Sequence, residues 1–418
     1  MKIAARVFSP PRTNDSRRFV CYIYLMVSPE TLRRRVTDVL PDVVSIRRSL
    51  HRIPETHFQE RETAAAVRGF LSGSRTLEVH PPLLETDITA TLRGKGDGPC
   101  ILLRSDIDAL PVQERTAAAW SSERPGRAHS CGHDGHMAML IGASRVLQAF
   151  ASELHGSVRF VFQPAEEEAA GGKALIEKGL LEAGPRPDMA FALHGWPGLP
   201  LGCVSSAAGP AMAAADSFRL TVRGRGGHAA MPHRAVDPVL AAAQIVTLVQ
   251  SAVSRSVDPQ QAAVLSVCRI EGGKATNVIP DEVVMEGTTR SFDRSVQDQL
   301  RERLERTAAG VCAASGCTWD IAWEVGYVPL VNHASAVDLA RRVVGSYLGP
   351  ERWLAEHPPT MGAEDFAFYL EHVPGALLRL GLGEEWPPLH SPGFDFNDQA
   401  LEAGITALAG LAVELCGI

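Results

Sequence analysis

The sequence predicts an α/β protein whose mixed sheet has helices on both faces, with a smaller α+β domain inserted into the chain. Two observations support this prediction. Short apolar segments typical of buried strands alternate with segments of helical periodicity along most of the 418 residues. From about residue 212 to residue 326 the order changes to a strand, a helix, two strands, a helix and a strand, as in ferredoxin-like units.

The main sheet is predicted to follow two helices. Residues 29–51 carry apolar side chains on one broad helical stripe, and a second helix is predicted over residues 62–71. Strands are predicted at residues 88–92, 100–104, 157–162, 189–193 and 376–380. Each of the last four is followed by a His, Asp or Glu. Because ligand sites in open α/β sheets lie at the carboxyl ends of the strands, we expect these side chains to share one site.

The inserted segment has its own predicted elements. Its strands are expected at residues 217–222, 264–270, 282–287 and 318–324, and its helices at residues 236–253 and 295–314. A helix over residues 334–348 returns the chain to the main sheet. We therefore predict an N-terminal appendage, a first part of the main domain, the inserted domain and a second part of the main domain. These four parts cover residues 1–27, 28–211, 212–326 and 327–418.

The composition is that of an ordinary globular protein. With 45% hydrophobic residues, 21% charged residues and a net charge of -7, the chain gives no indication of binding nucleic acid or an anionic membrane. The eight cysteines are scattered without a C-x-x-C pair, which favours a reducing, cytoplasmic location. Residues 1–27 are basic and then apolar, as in a signal peptide. We favour an appendage, because no small-x-small cleavage site follows and Ser28-Pro29-Glu30 is typical of a helix start.

The stretch 130–136, Ser-Cys-Gly-His-Asp-Gly-His, carries the strongest chemical signal. Cys131 and His133 are two residues apart, so they cannot share a helix face, but they can converge from a turn that precedes a helix. A thiolate together with an imidazole suits zinc or a similar transition metal. The alternative is a buried cysteine beside a capping aspartate and a core histidine, and a single C-x-H pattern favours that alternative.

Three further residues make a shared metal site the better interpretation. Each alone has a simple alternative, since a histidine at a strand end can cap a loop and the Glu166–Glu168 run can be a solvated acidic patch. Their common position after predicted strands favours one site. The candidate ligands are Cys131, His133, Glu167, His194 and His390.

Adjacent carboxylates at residues 166–168 can have different tasks, one binding metal and one accepting a proton. Neighbouring side chains in an extended turn point in different directions, so Glu167 can bind metal while Glu166 faces a water molecule. A metal ion lowers the pKa of water toward neutrality, and a free carboxylate can accept the proton and later give it to a leaving amine. Glu168 is expected to face solvent or to modify the charge of its neighbours.

Two aspartates are candidates for orienting the ligands. Metal-bound imidazoles usually donate their other N–H to a carboxylate, and Asp108 and Asp134 are placed to accept it. Capping is the equally weighted alternative, with Asp134 capping the helix after Gly135. His136 remains unassigned.

The inserted segment contains two further candidates. His228 lies in a glycine-rich stretch at a strand end and could donate to a developing oxyanion, or it could be an exposed loop histidine. Arg290 could bind a substrate carboxylate with two hydrogen bonds, although a surface ion pair is the simpler interpretation.

From about Leu50 to the C-terminus these residues lie in an ordered set of motifs. The set resembles the zinc/manganese-dependent aminoacylase and carboxypeptidase superfamily, and more narrowly its amidohydrolase branch of hippurate hydrolases, N-acyl-amino-acid amidohydrolases and plant auxin-conjugate hydrolases. The motifs are Leu50-His51-Arg52-x-Pro54-Glu55, Arg104-x-Asp106-x-Asp108-Ala109-Leu110-Pro111, Cys131-Gly132-His133-Asp134-Gly135-His136, Phe162-Gln163-Pro164-Ala165-Glu166-Glu167, Gly227-His228-Ala229-Ala230-x-Pro232-His233, Asn277-Val278-Ile279-Pro280, Gly362-Ala363-Glu364-Asp365-Phe366 and His390-Ser391-Pro392.

The resemblance implies a zinc-exopeptidase-like catalytic domain and a lid and dimerisation domain at residues 212–326. It implies that the five candidate ligands hold two divalent ions (Zn, Mn, Ni or Co), with the thiolate of Cys131 bridging them. Glu166 would be the general base and acid, and His228 would reach the active site of the neighbouring subunit in a homodimer. Asn277 and Arg290 would help to hold the substrate.

The expected function is hydrolysis of the amide bond of N-acyl amino acids. A dipeptidase or carboxypeptidase on the same scaffold is the alternative, and a non-catalytic binding protein is a third possibility that a lack of bound metal would favour. The sequence departs from the family pattern at Glu168, where glycine is usual, and at Ser105 and Ile107, where alanine and methionine are commoner. Residues 1–27 have no counterpart in the family.

Overall fold

The computed structural model describes residues 27–355 and 358–417. The predicted appendage therefore lies outside the described residues except for Val27. The helices are α1 (Pro29–His51), α2 (Arg61–Leu71), α3 (His133–Gln148), α4 (Glu166–Ala169), α5 (Gly171–Glu177), α6 (Pro238–Ser256), α7 (Arg294–Ser315), α8 (Ala334–Tyr347), α9 (Ala367–Leu370) and α10 (Leu401–Cys416). The strands are β1 (Leu77–Val79), β2 (Ile88–Arg93), β3 (Cys100–Asp106), β4 (Ser157–Gln163), β5 (Met189–Trp196), β6 (Val204–Ser205), β7 (Gly209–Met212), β8 (Ala214–Arg223), β9 (Gly227–His228), β10 (Ala263–Glu271), β11 (Val278–Ile279), β12 (Glu282–Ser291), β13 (Thr318–Tyr327), β14 (Leu330–Asn332), β15 (Trp353–Leu354) and β16 (Gly375–Gly381).

The main sheet has eight strands in the order β1-β2-β4-β3-β5-β16-β6-β15. Its centre is parallel, since β3 pairs in parallel with both β4 and β5, and β16 pairs in parallel with β5. Strands β1 and β2 are antiparallel to their neighbours on one side, and β6 is antiparallel to β16 on the other. The mixed sheet is therefore confirmed, and the carboxyl ends of β3, β4, β5 and β16 meet at one edge.

Alternation along β3 shows that both faces of the main sheet are covered. Ile101 and Leu103 lie in the larger apolar core, which includes residues of α1, α3, α8 and α10. Leu102 lies in a second core on the opposite face, together with Leu175 of α5 and Phe368 of α9. Because successive side chains of a strand point to opposite faces, helices lie on both sides of the sheet, as predicted.

Helix α10 is mostly apolar. Among the described residues, the helical stretch Asp398–Cys416 is long and apolar enough to cross a membrane, with a mean hydropathy of 1.3. However, 72% of this stretch is buried in the protein, and α10 packs on α1, α3 and α8. The helix therefore has the surroundings of a core helix in a globular fold.

A second, four-stranded antiparallel sheet has the order β10-β12-β8-β13. Helices α6 and α7 pack on it around an apolar core of their own, which includes Leu220, Ile245, Met285 and Leu304. We call residues 214–327 the small-sheet region. The chain enters and leaves this region on neighbouring strands, because Ala215 of β8 pairs with Tyr327 of β13.

Candidate metal centre

The loop that precedes α3 depends on two glycines. Gly132 has φ 87° and ψ 15°, a left-handed conformation that strains residues with a Cβ. A Cβ on Gly135 would lie 2.3 Å from the ring of Phe396. The loop therefore turns sharply at Gly132 and packs closely at Gly135, which places Cys131 and His133 side by side at the start of the helix.

The structure brings the five candidate ligands together at the carboxyl edge of the main sheet. The Sγ atom of Cys131 lies 3.5 Å from Nε2 of His194 and 3.3 Å from Nε2 of His390. Oε1 of Glu167 lies 3.7 Å from Nε2 of His133 and 3.5 Å from Nε2 of His390. The atoms form two compact triads, Cys131–His133–His194 and Cys131–Glu167–His390, within each of which the ligand atoms lie within 4.8 Å of one another.

The His390 loop is attached directly to the cysteine loop. The backbone N–H of His390 donates to the carbonyl of Ser130 at 2.7 Å. His390 itself has φ 62°, an unusual value for a residue other than glycine. Such a conformation persists when its surroundings hold it, and here it directs a half-exposed imidazole at the thiol of Cys131.

The buried imidazoles are oriented for metal binding. Nδ1 of His133 lies 2.8 Å from the carbonyl oxygen of Asp108, and Nδ1 of His194 lies 2.8 Å from the carbonyl oxygen of Gly195. With Nδ1–H as the donor in each ring, Nε2 carries the lone pair that faces the cluster. Nε2 of His133 and Oε1 of Glu167 are buried without a hydrogen-bond partner among the described residues. A buried set of thiol, imidazole and carboxylate acceptors with these unsatisfied atoms fits two divalent metal ions.

Asp108 supports the cluster in two ways. Its carbonyl oxygen accepts from His133, and its carboxylate Oδ2 accepts from the backbone N–H of Glu167 at 3.0 Å. The second contact also fixes the turn that carries Glu167. Asp108 thus contacts the candidate ligand His133 twice: its backbone carbonyl oxygen lies 2.8 Å and its carboxylate Oδ1 lies 3.3 Å from Nδ1 of His133. The sequence predicted the carboxylate contact as one of two alternatives.

Asp134 has a different role from the predicted one. Helix α3 begins at His133, so Asp134 lies inside the first turn and does not cap the helix. Its Oδ2 accepts from Nη1 of Arg47 at 3.2 Å and lies 2.8 Å from Nδ1 of His51, and all three side chains are fully buried. The carboxylate therefore fixes the metal-binding loop to helix α1 and does not contact a ligand imidazole.

This buried ion pair is electrostatically strong. Burial disfavours the charged form of the His51 imidazole, but the carboxylate of Asp134, with Glu114 and Asp395, outweighs burial and raises the pKa of His51 to about 10. His51 is therefore protonated at neutral pH, and it donates to Asp134 as a charged group. An ion pair of this kind in the interior defines one geometry for the loop.

Glu166 is buried beside the cluster, in the short helix α4. Burial, followed by the negative charges of Glu364 and Glu167, raises the pKa of Glu166 well above its ordinary value. The guanidinium of Arg104 acts in the opposite direction. A carboxyl group with a raised pKa beside a metal site has the properties of a group that accepts and returns a proton.

Behind Glu166 lies a buried network that the sequence interpretation did not identify. Arg104 donates to Asp106 at 2.7 Å, to Asp365 at 2.7 Å and to Gln163 at 3.0 Å, and it lies 3.0 Å from Glu364. All of these side chains are buried. The signal was available, because each of them stands in one of the ordered motifs, but the motifs alone do not show that they meet.

His136, left unassigned, belongs to this network. Its Nδ1 lies 2.7 Å from Oδ1 of Asp106, and its Nε2 accepts from the backbone N–H of Gly195 at 2.8 Å. Both ring nitrogens are therefore occupied. His136 holds Gly195, next to the candidate ligand His194, through these contacts.

His228, Asn277 and Arg290 are the three candidates that lie in the small-sheet region, and their contacts are with neighbours in that region. His228 pairs with Val278 across strands β9 and β11, and the carbonyl of Asn277 accepts from the N–H of Ala229. Arg290 was expected to follow its strand but lies within β12, where it donates to the carbonyl of Thr289. In the part of the chain that the structure describes, the hydrogen bonds of these three residues connect them to neighbours in the small-sheet region.

Glu168 is half-exposed, and its Oε2 lies 2.8 Å from Nδ1 of His57. The third carboxylate of the run therefore points away from the cluster, toward the surface, as expected from the sequence.

Comparison with known proteins shows the family to which this chain belongs. Residues 102–414 match the family model described as peptidase family M20/M25/M40. The N-acetylcysteine deacetylase of Bacillus subtilis (strain 168) is 39% identical over 373 residues, which cover 89% of this chain and 96% of that protein. The thermostable carboxypeptidase 1 of Saccharolobus solfataricus is 33% identical over 393 residues, covering 92% and 98%.

A solved structure shares the fold. The YXEP protein of Bacillus subtilis, described as a dinuclear metal binding peptidase from the M20 family, superposes with a TM-score of 0.80 at 34% identity, over 91% of this chain and 99% of that one. The resemblance that the motifs predicted is confirmed by these matches. With a matched family model over three quarters of its length and curated relatives that are 33–39% identical over most of both chains, the chain belongs to peptidase family M20/M25/M40 and is a hydrolase.

Proposed function

We propose that the protein hydrolyses the amide bond of N-acyl amino acids, as an amidohydrolase that requires two divalent metal ions. The observation that carries this proposal is the pair of ligand triads that share Cys131, with the buried carboxyl group of Glu166 beside them. The relation to an N-acetylcysteine deacetylase supports an acylated amino acid as the substrate.

The protein side chains have distinct tasks in this reaction. When bound, the two ions supply positive charge that makes water more acidic and polarises an acyl carbonyl. Glu166 accepts the proton of the attacking water and passes it to the nitrogen of the leaving amine. Asp108 fixes the imidazole of His133 and the turn of Glu167, so that the ligands need no rearrangement during the reaction.

Zinc, manganese, nickel and cobalt all accept a mixed set of thiolate, imidazole and carboxylate ligands. We propose zinc or manganese as the native ions and a cytoplasmic location. The seven cysteines within the described ranges are unpaired, which supports a reducing compartment.

We further propose that the protein is a homodimer formed through residues 212–326, in which His228, Asn277 and Arg290 act on substrate. His228 and Asn277 are exposed and bonded only to their own region in the described structure, so a neighbouring subunit is a reasonable source of contact with the cluster. Helix α6 exposes Val239, Leu240 and Leu248, at 46%, 59% and 51%. Strand β10 lies at the edge of its sheet, and an apolar helix face beside a free edge is a common dimer surface.

The proposed activity can be tested with a substrate panel. Protein reconstituted with zinc or manganese is expected to release amino acid from acetyl and benzoyl amino acids at least tenfold faster than from dipeptides, measured as kcat/KM with a ninhydrin assay. Chelation should abolish turnover, and added metal should restore it, because the ligand set is of the kind that binds divalent ions. A preference for dipeptides would support the carboxypeptidase or dipeptidase alternative, and inactivity on the whole panel of a fully metal-loaded sample would contradict the proposal.

The cross-subunit role of His228 leads to a separate prediction. His228→Ala and Glu166→Gln variants are each expected to be nearly inactive, whereas an equal mixture of the two, refolded together, should recover up to about a quarter of wild-type activity. About half of the dimers would then be mixed, and one of the two sites in each mixed dimer would combine an intact Glu166 with an intact His228. Activity is measured after the variants are mixed, denatured mildly and refolded together. His233→Ala, an exposed histidine five residues farther along the chain, serves as the control and should remain active alone. No recovery in verified mixed dimers would exclude the cross-subunit role.

A further inference from the structure

The turn that carries Glu166 is held in a strained conformation. It lies between two alanines in the left-handed region, Ala165 with φ 57° and ψ 41° and Ala170 with φ 48° and ψ 53°. Residues with a Cβ adopt this conformation at an energetic cost, so the turn keeps its shape only if its surroundings hold it. The contacts of its backbone therefore determine where the carboxyl group of Glu166 lies.

Three side chains from three separate elements bind this backbone. Oε1 of Glu60 accepts from the N–H of Ala165 at 2.9 Å, and Oδ2 of Asp108 accepts from the N–H of Glu167 at 3.0 Å. The hydroxyl of Tyr327 donates to the carbonyl of Glu166 itself at 2.5 Å. Glu60 and Asp108 belong to the main-sheet part of the chain, whereas Tyr327 is the last residue of β13, the strand by which the chain leaves the small-sheet region.

Tyr327 is itself fixed to the small-sheet region. Its backbone carbonyl accepts from Nε2 of Gln297 on α7 at 3.4 Å, and the same amide donates to Asp216 at 3.0 Å and 3.1 Å. Asp216 is fully buried and is bound by Arg301 through two hydrogen bonds of 2.7 Å and 2.8 Å. A continuous chain of hydrogen bonds thus runs from α7 and β8 through Tyr327 to the peptide of Glu166.

We propose that Tyr327 is a positioning residue that holds the general base in place and ties its turn to the small-sheet region. This inference rests on the proposed function, in which Glu166 moves the proton. The hydroxyl of Tyr327 contacts the backbone of Glu166 and not the carboxyl group, so it acts on catalysis only through where that carboxyl group lies. A movement of the small-sheet region would therefore shift the backbone of Glu166 through the same hydrogen bonds.

Tyr327→Phe tests this directly, because it removes the hydroxyl and keeps the ring. Since a displacement of about 1 Å can cost about 100-fold in rate, we expect kcat to fall between about tenfold and 100-fold, with KM within about twofold of the wild-type value. Metal content, measured by plasma mass spectrometry, should stay unchanged, because no candidate ligand is altered. The melting temperature should fall by no more than about 3 °C, as expected for the loss of one hydrogen bond. A merely structural hydroxyl would give the same small fall in melting temperature and leave kcat alone.

Tyr347→Phe is the matched control. Tyr347 is buried, whereas Tyr327 is partly buried, and the hydroxyl of Tyr347 also donates to a backbone carbonyl, that of Val27 at 3.4 Å, at a position with no such chain of contacts to Glu166. Its kcat should stay within twofold of wild type. If Tyr327→Phe also keeps its kcat within twofold, or if both variants lose activity equally, the positioning role is wrong.

Gln297→Met provides a second, independent variant. It removes the amide that holds the carbonyl of Tyr327 without touching the turn, and we expect kcat to fall between about twofold and fivefold at constant KM. An unchanged kcat would show that the turn is not tied to the small-sheet region. Glu166→Gln, assayed in parallel, separates the two hypotheses: retained turnover in that variant contradicts the proposed function, whereas loss there combined with a fully active Tyr327→Phe contradicts only the inference about Tyr327.

Discussion

Glu166→Gln is expected to lower kcat by about 10²- to 10⁴-fold, the range that general acid–base catalysis contributes, while the content of bound metal stays at the wild-type level. This loss corresponds to about 3–5 kcal/mol of transition-state stabilisation. The amide of glutamine has nearly the same shape as the carboxyl group, so it fills the same buried space, but it cannot take a proton from water. Turnover is measured by release of the amino acid, and metal content by plasma mass spectrometry on the same samples.

Glu168→Gln is the matched control for this experiment. It makes the same chemical change two residues along the chain, at a half-exposed side chain whose partner is His57. Its activity should remain within about twofold of wild type. An active Glu166→Gln enzyme would contradict the role of Glu166, and loss of metal from that variant would instead place Glu166 among the ligands.

The electrostatics of Glu166 and its neighbour Glu167 support the different roles proposed for them. Burial raises the pKa of both carboxyl groups, but the imidazoles of His390 and His133 outweigh burial at Glu167 and lower its pKa. At Glu166 the nearby charges are mainly negative, so its pKa stays raised. Of two adjacent carboxyl groups, the one with the lowered pKa is suited to bind a metal ion, and the one with the raised pKa is suited to accept and return a proton. Bound cations would lower the pKa of both carboxyl groups, and the effect would be larger for Glu167, because it faces the other candidate ligands.

The sequence predicted the ligand cluster because strand direction carries much of the information. Cys131 and His133 follow from a turn before a helix, and Glu167 and His194 follow from the ends of two parallel strands. Helix α1 was predicted with the observed bounds, Pro29–His51, since its apolar stripe is regular and Ser28 caps it. These features are local, so a single sequence contains them.

The parts that the sequence did not predict depend on distant contacts or on missing periodicity. Asp134 binds Arg47 and His51, which lie more than 80 residues away, and no local pattern shows that pairing. Helix α10 has Glu402, Thr406 and Glu414 as its polar side chains, which are too few to form a regular polar face from which its boundaries could be recognised. Strand β12 continues to Ser291, farther than its alternating pattern indicated, and this places Arg290 inside the strand.

Cys131→Ala is the second large effect that we expect. Because both triads contain Cys131, its loss should weaken the binding of both ions, whereas His194→Ala and His390→Ala should each weaken mainly one. Changes outside the direct ligands of a metal typically cost about 10- to 100-fold in affinity, so loss of a shared direct ligand should cost more than about 100-fold for each ion. Metal content after equilibrium dialysis should fall to well below one ion per chain, and turnover should fall with it.

Cys312→Ala is the control, because Cys312 is also buried but lies in the core of the small-sheet region. It should keep its metal and its activity. The three ligand variants together distinguish a shared thiolate from two separate sites. If Cys131→Ala loses only one ion, the thiolate binds a single metal, and another group must complete the second triad. Asp106 is one candidate, since its Oδ2 lies 3.8 Å from Nε2 of His133. If Cys131→Ala loses neither ion, the thiolate is not a metal ligand. The site would then be formed by the other side chains at the carboxyl edge of the sheet.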